Sequence, residues 1–81
     1  MNVRVDFYSQ LRDVAGASHL DVVVADDTTV RDLLEELYRI VPDLRSHDRN
    51  ILVAAGVEFV DRKYEVKAGD EIAIMPPVQG G

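Results

Sequence analysis

Cysteine is missing from this 81-residue chain. That absence excludes a disulfide framework, a thiolate metal site and a thiol nucleophile. Basic residues are in deficit too. Nine Lys and Arg face fifteen Asp and Glu, for a net charge of −6. Nucleic-acid binding, whose footprint is a basic patch, is therefore not expected. An acidic domain suits a partner with a basic rim, and the charge also keeps a small domain soluble. No apolar run approaches the ~20 residues that span a bilayer, and no basic-then-apolar leader opens the sequence, so no membrane association and a cytoplasmic location are expected. Gly-rich phosphate loops are absent. His19 and His47 are far apart and belong to no metal-spaced pair, so no metal site is expected. Asp26 and Asp27 read as carboxylates favoured by a helix N-terminus, and Asp43, Asp48 and Asp61 as solvated loop charges. Neither Ser9 nor Ser46 has the setting of a nucleophile.

A composition 47% hydrophobic and 30% charged nonetheless belongs to a folded domain. At this length the chain forms one domain, too small to enclose a deep active site of its own. Val3, Val5 and Phe7 alternate with polar residues over Val3–Tyr8, which is the period of a half-buried strand. Leu11 and Val14, with Gly16 as a stop, suggest a short helical turn or structured loop. Leu20, Val22 and Val24 form a second alternating run, pairing with the first in hairpin fashion. The period then turns helical. Thr29 is the expected N-cap, with Asp32 three residues on. Val30, Leu33, Leu34, Leu37, Ile40 and Val41 occupy one face, while Glu35 and Arg39 are spaced for an i, i+4 ion pair on the other. Pro42 ends the helix. Asp43–Asn50 reads as a polar loop anchored by Leu44. Ile51–Ala55 and Val57–Val60 read as strands punctuated by Gly56, and the turn Ala68-Gly69-Asp70 leads into a last strand, Glu71–Met75. The domain is expected over residues 1–75, and 76–81 form a flexible tail.

That tail is Pro76-Pro77-Val78-Gln79-Gly80-Gly81. The prolines hold φ near about −65° and favour an extended path. The glycines, lacking Cβ, suit a narrow channel. Six extended residues reach at most roughly 20 Å, enough to place the Gly81 carboxylate inside a partner's active site. Strand parity adds a docking face. If Val3, Val5 and Phe7 point to the helix, Tyr8 points away from it; if Ile72 and Ile74 do, Met75 points away; and Phe59 joins them, since Val60 is the likelier core residue of its strand. An exposed cluster of Tyr8, Phe59 and Met75 beside the tail root is the expected interface anchor.

The order of elements, the helix opening Thr29-Val30-Arg31-Asp32-Leu33-Leu34, the turn Lys67-Ala68-Gly69-Asp70-Glu71 and the Pro-Pro-Val-Gln-Gly-Gly tail together resemble the β-grasp, ubiquitin-like sulfur carriers, closest to the small subunit of molybdopterin synthase. Phe7 to Arg12, followed by Val14-Ala15-Gly16, is similar to that family's first strand and loop. The resemblance covers essentially the whole chain. It implies an α+β fold with a mixed sheet of four to five strands, one amphipathic helix on one face and an extended C-terminal tail. It further implies that an ubiquitin-activating-type adenylyltransferase uses ATP to adenylate Gly81, that a sulfur donor system converts the adenylate to a thiocarboxylate, and that the large subunit of molybdopterin synthase receives the tail. Gly80 would let the tail enter the pocket, Pro76, Pro77 and Val78 would guide it, and Gln79 would also bind the partner. The protein would bind no cofactor itself. Two other roles fit the same tail: an ubiquitin-like modifier joined through Gly81 to lysines, and a sulfur carrier for thiamin or tRNA thiolation. The double proline weighs against the latter.

Overall fold

The computed structural model describes residues 1–77. In chain order the elements are β1 (Asn2–Phe7), α1 (Gln10–Ala15), β2 (His19–Val23), α2 (Val30–Ile40), a run of 3₁₀ turns over Pro42–Asn50, β3 (Leu52–Ala55), β4 (Glu58–Val60) and β5 (Glu71–Met75). The strands form one mixed sheet in the order β2-β1-β5-β3-β4. Its centre is the parallel pair of β1 and β5, with Val5 beside Ile72 and Phe7 beside Ile74. The outer pairs are antiparallel, β1 with β2, β5 with β3 and β3 with β4. This is the expected β-grasp architecture: a mixed sheet of five strands with an amphipathic helix packed against one face.

The core lies between sheet and helix. Val3, Val5, Phe7, Val22, Val53, Ile72 and Ile74 supply the sheet side, and Val30, Leu33, Leu34 and Leu37 the helix side, all nearly free of solvent. Alternation puts every second strand residue inward, and the 3.6-residue period does the same for the helix. Each such side chain contributes roughly 1.5–3 kcal/mol by leaving water. Thr29 caps α2 as expected, its Oγ1 accepting from the Asp32 N–H at 3.3 Å. The helix stops at Ile40, and Pro42 opens the next element.

The hairpin from β3 to β4 closes through Gly56-Val57. Gly56 has φ of 62° while Val57 is not in the positive-φ region, the pattern of a type II′ turn. Val57 is the turn residue and not, as its sequence suggests, the first of the strand.

Three other expectations change. Residues 42–50 are 3₁₀ turns rather than open loop, although Leu44 is buried as its anchor. Their course back along α2 breaks the Glu35–Arg39 pair: Arg45 reaches Glu35 instead, with nitrogens 2.9 and 3.4 Å from its carboxylate, and Arg39 turns to Glu36. A guanidinium that forks onto a carboxylate outcompetes a helical pair of the same charges. Arg45 also covers the Tyr38 ring, 5.1 Å from its centroid.

Asp48 is likewise no free loop charge. It accepts from Tyr38 Oη at 2.5 Å and from Arg62 at 3.0 Å, and its backbone carbonyl accepts from Arg62 at 2.7 Å. These bonds tie the 3₁₀ segment to α2 and to the connection after β4. The hydrogen bond from Tyr38, then that from Arg62, holds the Asp48 carboxyl below the usual carboxylate range. Burial, and then the bond to Asp48, pushes the Tyr38 phenol above its usual range.

Candidate functional site

With α2 covering one face of the sheet, the other face is open. β3 pairs Leu52 with Met75 and Ala54 with Ala73, and β4 places Phe59 opposite Ala54. Phe7 stands beside Ile74, and the Tyr8 N–H donates to the Ile74 carbonyl at 3.1 Å, which brings Tyr8 level with Met75. Two apolar rows result, Tyr8–Met75–Leu52 and Ala73–Ala54–Phe59. Tyr8 is 49% exposed and Phe59 68%, while Met75 is half-buried. On β1 the patch is bordered by Arg4 and Asp6, paired at 3.0 Å.

Leu52, 39% exposed, belongs to this surface and was hidden in the apolar run Ile51–Ala55. Parity finds it: Ile51 and Val53 are buried, so the residue between them must point outward.

Pro76 and Pro77 follow β5 at the same end and line a groove of about 400 Å³ with Ser9, Gln10, Leu11, His47 and Asn50. The expected site thus divides in two. Tyr8, Phe59 and Met75 share the open face, Pro76 and Pro77 stand at its exit, and Val78, Gln79, Gly80 and Gly81 lie outside the described residues. His47 and Asn50 reach the tail root because the 3₁₀ turns fold back, which no local sequence signal announces. Ser9 lies at the start of α1 with φ of 58°, a conformation that serine rarely adopts. Among the described residues no group of His, Cys, Asp or Glu side chains is arranged to hold a metal ion.

The family model described as ThiS matches residues 5–81. The chain belongs to the ThiS family. Among curated relatives, the molybdopterin synthase sulfur carrier subunit of Chlamydomonas reinhardtii is 32% identical, with all of both chains covered. Small archaeal modifier protein 1 of Haloferax volcanii is 32% identical over 95% of this chain and 98% of that one, with a TM-score of 0.86. A chain of the Amycolatopsis orientalis BexX/CysO complex is 26% identical over 98% of this chain and 99% of its own, with a TM-score of 0.75. In this ThiS-family protein, no described helix is long and apolar enough to cross a membrane.

Proposed function

We propose that this protein is the sulfur-carrier subunit of a molybdopterin synthase, working in the cytoplasm through the carboxylate of Gly81. The observation that carries this reading is the end-to-end match to a curated sulfur carrier subunit, with the family match itself running to residue 81. The chemistry follows from the poor electrophilicity of a carboxylate. An activating enzyme joins Gly81 to the AMP portion of ATP and releases pyrophosphate; a sulfur donor then displaces AMP and leaves a thiocarboxylate. ATP enters with that enzyme, and this chain contributes position rather than a general acid or base. The open face carrying Tyr8, Leu52, Phe59 and Met75 docks on the activating enzyme and the large subunit in turn, while Pro76 and Pro77 aim the segment Val78 to Gly80 into each active site.

A second reading is favoured by the likeness to a small archaeal modifier protein: Gly81 is joined to lysine side chains of target proteins. Both begin with the same adenylate and differ in what attacks it, sulfur or an amine.

Intact-mass measurement of the protein recovered from its own host tests the choice. Replacement of one terminal oxygen by sulfur is expected, with the shift lost when Gly81 is deleted. A terminus found only as carboxylate, together with Gly-Gly remnants on lysines of other proteins, overturns the carrier in favour of the modifier.

A further inference from the structure

At the edge of the sheet farthest from β4, strand β2 has a neighbour on one side only. Its ladder with β1 fixes which backbone groups are in use. The Val24 N–H donates to the Met1 carbonyl at 2.9 Å and the Phe7 N–H to the Ser18 carbonyl at 2.9 Å. In an antiparallel pair the bonded residues alternate, so Leu20 and Val22 turn their amides to β1 while Asp21 and Val23 turn theirs outward. Among the described residues nothing meets those outward groups. Such an edge is a template for one more strand.

What flanks the edge is specific in shape and charge. A groove of about 290 Å³ runs between the end of β2 and α2, lined by Val23, Val24, Ala25, Thr28, Asp32 and Glu36. Val23 is 79% exposed on the sheet side opposite the helix. Asp21 borders the same edge, its β1 neighbour Arg4 being held by Asp6 at 3.0 Å. Glu36 is shared with Arg39, and Asp32 stands in the first turn of α2.

We propose that the β2 edge takes up an extended segment of another protein in which basic and apolar side chains alternate. Pairing with Asp21 and Val23 fixes the backbone. The alternation then sends one set of side chains toward Asp32 and Glu36 and the other over Val23. A second copy of this chain is a poor occupant. Closed pairing of β2 with itself is antiparallel, and the fully overlapped register sets Asp21 against Asp21. The β2 edge shares the open side of the sheet with Tyr8 and Met75 but lies across Arg4 and Asp6 of β1 from them.

The test titrates the isotope-labelled full chain with acetylated, amidated Lys-Val-Lys-Val-Lys, and with its Glu-Val-Glu-Val-Glu counterpart, by amide NMR. The basic peptide is expected to give saturable shifts centred on Asp21, Val23 and Asp32 and to slow amide exchange at Asp21 and Val23, while the acidic peptide does neither. Val23→Pro removes an outward N–H without touching the β1 ladder, and Asp32→Asn with Glu36→Gln removes the charge; each is expected to weaken binding about tenfold. Should Val23→Pro not fold, the charge variant decides alone. The proposal is overturned by equal binding of both peptides, by absence of saturation, by shifts centred on Tyr8 and Phe59, or by self-association through β2 in the absence of peptide.

Discussion

Ser9 occupies a conformation, φ 58° and ψ −136°, that glycine adopts freely and other residues only at a cost. It is the sole non-glycine with positive φ among the described residues, and its side chain caps nothing. Its position explains the tolerance. The chain must leave β1, whose Tyr8 N–H is still bound to β5, and enter α1 within two residues, with Leu11 driven into the core. Ser9→Gly is therefore expected to stabilise the fold by about 1 kcal/mol, the relief of strain exceeding the entropy that glycine adds to the unfolded chain. Thermal unfolding of the two proteins checks it, and a lowered Tm for the variant refutes the strain. The sequence held no warning of this, because serine at a strand end is ordinary and the conformation is imposed by packing on either side.

At the scale of the element, the segment Pro42–Asn50 depends on polar junctions. Its only fully buried apolar side chain is Leu44, so the bonds of Asp48 to Tyr38 and Arg62, with Arg45 on Glu35 beside them, keep it folded back. Tyr38→Phe keeps the ring and removes the hydroxyl, and is expected to cost about 1 kcal/mol at neutral pH. The sign of the pH dependence follows from Asp48. Its carboxyl is depressed in the folded protein, so the stabilisation is complete above the ordinary carboxylate pKa and is lost as pH falls through the lower folded value. The gap between wild type and Tyr38→Phe in chemical denaturation should thus narrow below pH ~4. A gap that is constant, or that widens in acid, rules out the Asp48 partnership. Legibility differs sharply between elements for the same reason. Helix α2, its Thr29 cap and the alternation of β1 and β5 are written locally, since a period needs only its own residues. The 3₁₀ segment is held by Tyr38, Arg62 and Glu35, each ten or more positions from the residue it bonds, and its nine residues show no apolar period. The same distance hid the exchange of Arg39 for Arg45 as the partner of Glu35.

For the molecule as a whole, the decisive asymmetry is that one sheet face makes the core and the other is left open. Val5, Phe7, Ile72 and Ile74 are spent on α2, whereas Tyr8, Leu52, Phe59 and Met75 stabilise nothing of comparable size. Which strands adjoin is not encoded in any one strand's period, so parity turns Leu52 outward but only the order β5-β3-β4 sets it beside Met75. Binding and folding should then separate under mutation. Phe59→Asp is expected to leave stability within about 1 kcal/mol, since the ring is largely in water already. Under the proposed carrier role it should weaken association with the activating enzyme or the large synthase subunit at least about tenfold, as loss of an apolar anchor does. Val57→Asp is the matched control, an apolar residue that is fully exposed but at the hairpin turn, and should change neither quantity. Calorimetric titration beside thermal unfolding reads both. Equal weakening by the two substitutions would mean that added negative charge, rather than the Phe59 ring, governs docking; unchanged affinity with Phe59→Asp would remove the open face from the interface altogether.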